Sequence, residues 1–328
     1  MSSMKNNAGE ARGIRKPQIS QYLEKFGVFL VLLAMILILS VTTTTFLTSR
    51  NLLNVVRQVS VNGIIAVGMM FVLLTGGIDL SVGSVVALSG VVAAHFAHPG
   101  EFPLIVPIAM GMLVGLVVGL INAFFGVRTK IVPFIATMGM LSIAKGMALV
   151  LSSGRPISNL SDSFCFIGRG NVFGFFPLLS LIMICCFIVG GVIQRKTRLG
   201  RYIYSIGGNE NAAHVSGIRV GRCKALAYVF SSLFAALAGI VLAGRITTGS
   251  PASGDGYELD AIAAVVIGGT SLNGGVGSIW GTLVGVLIVG VLNNGMDLLN
   301  VSSYYQQIMQ GVIIILAVLL DTRTKRNA

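Results

Sequence analysis

The sequence predicts an all-α integral membrane protein, a polytopic bundle of about ten transmembrane helices with short or broken inner helices. Three observations carry this. The 328 residues are 54% hydrophobic with a mean hydropathy of +0.88, and only 10% are charged, where a soluble domain carries about a quarter. So little charge leaves a largely apolar surface, which is stable in lipid and aggregates in water. The 42 glycines have no collagen-like period, and small residues let membrane helices approach closely where no hydrophobic effect draws them together.

Apolar runs place the spans in order at 27–47, 60–76, 82–98, 104–126, 131–152, 176–194, 223–243, 259–272, 279–297 and 303–321. The first follows basic residues, as a secretory signal does. It is nevertheless long enough to cross a bilayer and no A-x-A-like cleavage site follows it, so it reads as a retained helix. The third and eighth are short or interrupted by glycine, a pattern of broken helices buried inside a bundle. The domain plan is a cytoplasmic tail over 1–26, a membrane domain over 27–321 with a cytoplasmic loop at 195–224, and a cytoplasmic tail over 322–328.

A net charge of +12 raises nucleic acid as a partner, but the basic residues lie between apolar runs and act as topology signals. With the N-terminus inside, Lys5, Arg12, Arg15, Lys16, Lys25, Arg128 and Lys130 are cytoplasmic. So are Arg195, Lys196, Arg198, Arg201, Arg219, Arg222, Lys224, Arg323, Lys325 and Arg326. Only Arg50, Arg57, Arg155, Arg169 and Arg245 fall outside, and Lys145 lies in a span. Both termini are therefore expected in the cytoplasm. Cys165, Cys185, Cys186 and Cys223 form neither a disulfide framework nor a metal spacing. No Gly-Lys-Ser/Thr phosphate loop occurs, so the chain has no nucleotide site of its own.

Several residues stand out against this background. Asp79, between two apolar runs, reads as an N-cap of the next helix or as a substrate contact. Glu258 and Asp260 open the eighth span, where they complement its positive end or face the solute's entrance. Lys145 reads as a snorkelling side chain. His95 and His98, without a nearby cysteine or acid cluster, do not make a metal site. Two Gly-rich stretches echo one another, Gly76-Gly77-Ile78-Asp79-Leu80-Ser81 and Gly268-Gly269-Thr270-Ser271-Leu272-Asn273. They are either an internal repeat or two similar helix junctions.

The loop 195–224 holds a short helix near 209–217, capped by Asn209, with Glu210 at its positive end and Gly217 closing it. Gly208 and Gly217 are expected at positive φ. A helix of this length is unstable alone in water, so it docks either on the chain's own inner surface or into a partner.

The stretch TRLGRYIYSIGGNENAAHVSGI (197–218) resembles the cytoplasmic coupling segment of ribose-type sugar permeases of ATP-binding-cassette importers. VGMMFVLLTGGIDLSVGSVVALSG (67–90), GYELDAIAAVVIGGTSLNGGVGSIWGTLVG (256–285) and the NNG and SSYYQ near 293–306 extend the likeness across the membrane portion. The resemblance implies a permease subunit, not an enzyme, without a cofactor of its own, since ATP is bound by a cytosolic ATPase partner. It further implies a second permease copy, an extracytoplasmic sugar-binding protein and a place in the bacterial inner membrane. Gly207, Gly208, Asn209, Glu210, Ala212, Ala213 and Gly217 would then couple to the ATPase, and Arg50, Arg57 and Arg245 would dock the binding protein or anchor helix ends. Hydroxyl and amide side chains within spans, Asn62, Ser89, Asn122, Ser142 and Asn293, are candidates for a sugar path or for interhelical bonds. The other class considered is an ion-coupled secondary transporter, which needs titratable intramembrane groups and finds only Asp79, Lys145 and Asp297.

Overall fold

A computed structural model describes residues 18–129 and 131–326. The first seventeen residues of the expected N-terminal tail, Lys130 and residues 327–328 lie outside the described residues, so the topology signals at Lys5, Arg12, Arg15, Lys16 and Lys130 do too. The chain is helical throughout: α1 (Gln18–Thr42), α2 (Ser49–Leu74), α3 (Val82–His95), α4 (Ile105–Arg128), α5 (Pro133–Leu151) and α6 (Asp162–Arg169) come first. A two-stranded antiparallel hairpin, β1 (Asn171–Val172) and β2 (Phe176–Pro177), pairs Asn171 with Pro177. There follow α7 (Leu178–Lys196), α8 (Arg198–Gly208), α9 (Glu210–Val215), α10 (Val220–Ile246), α11 (Tyr257–Ile267), α12 (Ile279–Leu298) and α13 (Ser303–Arg326).

Among the described residues six helices, α2, α4, α5, α7, α10 and α12, are long and apolar enough to cross a membrane. The protein is therefore an all-α membrane protein. The expected third and eighth spans are α3, of 14 residues, and α11, of 11. At 1.5 Å per residue these rise only ~21 and ~16 Å, short of a hydrocarbon core of about 30 Å. Each follows or precedes a glycine break and lies in the interior, where neighbouring helices satisfy the freed backbone. The expected second span at 60–76 begins eleven residues early, at Ser49, where the Thr48 hydroxyl accepts from the Asn51 amide at 3.4 Å.

Burial sorts the helices into layers. In α2, 83% of the membrane-length window is buried, against 22% in α5. An amphipathic helix in water hides its apolar face; here α5 turns Ile135, Met138, Ile143 and Met147 outward, as lipid permits. The hub is α10, packed on α2, α3 and α4. Its fit to α4 is set by Gly111, Gly115 and Gly119, four residues apart on one face. A Cβ at Gly115 would lie 2.5 Å from the Ala236 Cβ, and one at Gly119 2.8 Å from the Val229 Cα. The missing side chains let the two helices pack backbone to backbone. Ser89 of α3 completes this joint, its hydroxyl 3.2 Å from the Ala236 carbonyl.

Candidate translocation and coupling sites

The loop 195–224 folds into two helices rather than the one expected. Thr197 caps α8 by accepting from the Gly200 amide at 3.2 Å, and Asn209 caps α9 by accepting from the Ala212 amide at 2.9 Å. Lys224 pairs with Glu210 at 2.6 Å, and Gly217 closes α9 at φ +83°. Gly208, expected at positive φ, is not there: it ends α8 in ordinary geometry with open space around it. Ile206, Ala213, Val220 and Cys223 make a small core beneath α9. Its other face, Asn211, Ala212, His214 and Val215, points away from the protein, with Val215 87% exposed. Thus one face rests on the chain's own surface and the other is left open. The signal for α8 was available in the sequence: Leu199, Ile203 and Ile206 recur at helical spacing.

Tyr204 on α8 ties this region to the membrane helices. Its hydroxyl donates to the Gly277 carbonyl at 2.5 Å and accepts from Gln194 of α7 at 2.5 Å. The Gln194 carbonyl oxygen in turn accepts from the Ile279 amide at 3.1 Å, capping α12. Burial raises the Tyr204 pKa, so the phenol stays a donor. At the end of α8, Gly207 presses on the C-terminus of α2 and on the loop before α12: a Cβ there would lie 2.0 Å from the Leu74 carbonyl oxygen and 2.2 Å from the Gly275 nitrogen. The Gly275 amide donates to that same Leu74 oxygen at 3.0 Å. The two Gly-rich stretches that echo in the sequence therefore meet, since Gly76 faces the Asn273 carbonyl, and α8 seals their junction.

A second polar centre gathers two path candidates. Asp260, 5% exposed in the first turn of α11, accepts from Asn62 of α2 at 3.2 Å and from Gln310 of α13 at 2.9 Å. Asn293 of α12 lies beside the same carboxylate, with its own carbonyl oxygen buried and unpartnered among the described residues. Asp260 thus bonds neighbouring helices instead of capping its own. The remaining candidates lie elsewhere. Ser89 bonds α10, Asn122 donates to Ser81 at 2.8 Å, and Ser142 faces outward on α5. Sequence reasoning missed Gln310, Gln194 and Tyr204, and it missed Asn51 and Asn294, which exchange two buried hydrogen bonds at 3.0 and 2.9 Å.

Other single residues resolve as follows. Asp79 is fully buried and accepts from the Ser81 amide at 3.0 Å and hydroxyl at 2.6 Å, shaping the turn before α3; the N-cap position itself is Ser81. Lys145 does not simply snorkel, but pairs with Asp255. His98 is 3.0 Å from the Asn159 carbonyl, and no group of three potential metal ligands occurs among the described residues. Of the arginines expected outside, Arg57 donates to Asn171 at 3.1 Å and Arg245 to the Arg57 carbonyl at 3.4 Å, so these two are adjacent. Arg50, exposed and without a partner among the described residues, lies two turns away, inside α2 rather than before it.

Apolar helices of membrane length packed around a core that holds buried polar side chains, with a capped helical segment docked on them, define a polytopic membrane protein. The chain belongs to the family of branched-chain amino acid transport system permease components, whose model matches residues 51–318. The likeness to sugar permeases is strong. The chain is 47% identical to the ribose import permease protein RbsC of Bacillus subtilis over 303 residues, 92% of this chain and 94% of that protein. It is 45% identical to RbsC of Escherichia coli K12 over 298 residues (90% and 92%). The L-arabinose transport system permease protein AraH of the same organism is 38% identical over 305 residues (93% and 92%). No solved structure matches the chain. It is a permease subunit and not an enzyme.

Proposed function

We propose that this chain is the membrane-spanning subunit of an ATP-binding-cassette importer that carries a small sugar, ribose or a closely related pentose, into the cytoplasm by alternating access. The observation that carries the reading is the 47% identity to a ribose import permease along 92% of the chain. In this reading ten helices cross or enter the bilayer, residues 27–321 form the membrane domain, and the tails at 1–26 and 322–328 are cytoplasmic. A second copy completes the pathway. A cytosolic ATPase pair binds ATP and engages α9 through Asn209, Glu210, Ala212 and the turn at Gly217. Closure of that pair moves α8, and Gly207 and Ala213 transmit the motion to the membrane helices, with Gly208 contributing only its backbone, which abuts Gly275. The open face of α9 supports this role, because one face of the helix rests on the small core of Ile206, Ala213, Val220 and Cys223 while Asn211, His214 and Val215 stay exposed to a partner. Asn62, Asp260 and Asn293 supply amide and carboxylate groups suited to sugar hydroxyls.

The test is uptake of labelled ribose by vesicles holding the chain with its cognate ATPase and binding protein. Uptake is expected only with all three proteins and ATP. Accumulation driven by an ion gradient without the ATPase would overturn the reading.

The arginines extend it to the outer face, where planar guanidinium groups suit carboxylates of a docking protein. Arg50 offers the cleanest probe, since Arg57 is already held by Asn171. Arg50→Glu is expected to weaken docking of the binding protein about fivefold at low ionic strength, the scale of an exposed ion pair, and the difference should vanish in high salt. Equal affinity of mutant and parent at low salt would make Arg50 a helix-end anchor.

A further inference from the structure

We infer that the groove between α7 and α12 is a binding site for one anionic phospholipid. It is a cleft of ≈ 490 Å³ whose walls are apolar, formed by Phe187, Val192, Ile279 and Leu283. Gly191 of α7 leaves room in it, since Ile279 stands 3.6 Å from where a Cβ at Gly191 would lie. An acyl chain fits such a cleft, since it offers apolar surface without the polar groups a protein segment would have to satisfy in lipid.

What selects the headgroup is charge. Arg195 and Lys196, in the last turn of α7, line the same cleft at one end. Both are exposed, and neither forms an ion pair among the described residues. Two unpaired cations at the mouth of an apolar groove match a phosphate-bearing lipid, with Arg195 able to hold two phosphate oxygens at once. Trp280 lines the groove beside them and is 60% exposed, an amphipathic ring of the kind that sits at headgroup level. A second copy of the chain is the other possible occupant, and two unpaired cations make the groove a poor partner for an identical surface. This inference is independent of which solute the protein carries.

The protein supplies its own probe, because Trp280 is its one tryptophan. Purified full-length chain is placed in nanodiscs of brominated phosphatidylglycerol or brominated phosphatidylcholine mixed with unbrominated lipid, and quenching of Trp280 fluorescence is followed with mole fraction. Phosphatidylglycerol is expected to occupy the site in preference to phosphatidylcholine by roughly thirtyfold, the effect of two basic residues near an anionic headgroup. Arg195→Gln with Lys196→Gln should abolish the preference while quenching by both lipids persists. Gly191→Leu, whose first added atom has room, should fill the cleft and reduce quenching by both. Equal quenching by the two lipids in the parent, or a preference surviving the double substitution, overturns the proposal. So does an absence of quenching by either lipid, which would make the groove a protein interface.

Discussion

Gly207→Val is expected to reduce sugar uptake at least tenfold, whereas Gly208→Val leaves it near the parent level. The two positions are neighbours with the same residue, and their surroundings decide the difference. At Gly208 a side chain meets nothing within 4 Å. At Gly207 the first added carbon already collides with backbone on both sides, the Leu74 oxygen and the Gly275 nitrogen. Backbone cannot rotate aside as a side chain can, so α8 must lift away from α2 and from the loop before α12. Forced overpacking costs typically 1–3 kcal/mol, enough to displace an 11-residue helix held mainly by Tyr204 and a small apolar face. The measurement pairs uptake with membrane yield and thermal stability in detergent. Normal yield, lost uptake and ATP hydrolysis no longer stimulated by sugar-loaded binding protein are expected for Gly207→Val. Full stimulated hydrolysis and uptake in that mutant would remove the junction from the coupling route.

Asp260 carries the second large effect. Replacing it by leucine strips the acceptor from Asn62 and Gln310 at once. Leaving buried polar groups without partners costs ~1–3 kcal/mol apiece, so Asp260→Leu should lower both yield and melting temperature. Asp260→Asn keeps the shape and one carbonyl oxygen, and its NH2 gains an acceptor once the Asn62 or Gln310 amide facing it turns over, so the variant should fold. If the carboxylate serves the solute, Asp260→Asn raises the apparent KM for uptake about tenfold at unchanged thermal stability, the scale of a lost hydrogen bond to a charged group. Uptake that simply tracks stability across Asp260→Asn, Asn62→Ala and Gln310→Ala would reduce the cluster to an interhelical tie.

How much of this could be read from the chain alone depends on the range of the interaction. Hydropathy locates apolar runs because lipid acts on each residue independently, and the short interior elements α3 and α11 are marked by their flanking glycines. The start of α2 is not marked. Between Ser49 and Ser60 the residues Arg50, Asn51, Asn54, Arg57 and Gln58 interrupt the apolar run; Asn51 and Arg57 are met by Asn294 and Asn171, far along the chain, while Arg50 and Asn54 stay exposed. The centre at Asp260 is hidden for the same reason, since its ligands come from 198 residues before and 50 after. Asp260 read locally is a helix-start acid, and its position in the first turn of α11 is right; its bonds are not to that helix. The loop at 195–224 was legible as holding a docked, capped helix because caps are local. That α8 precedes it was missed because Arg198, Arg201 and Ser205 mask a three-residue apolar stripe. The two Gly-rich stretches were legible as similar, and their similarity has a physical counterpart in three dimensions, where they touch.

That junction has a mechanical consequence. Most contacts between helices are made by side chains, and a side chain can absorb an ångström of relative movement by changing rotamer, so a push at one end of the chain of contacts arrives attenuated at the other. Where Gly207, Gly275 and Leu74 meet, peptide units bear directly on peptide units, bound by the Gly275 amide and with no rotamer to change. A joint of this kind has almost no play. A displacement imposed on α8 is therefore expected to reach the end of α2 and the loop before α12 without loss to rotamer changes at the contact itself.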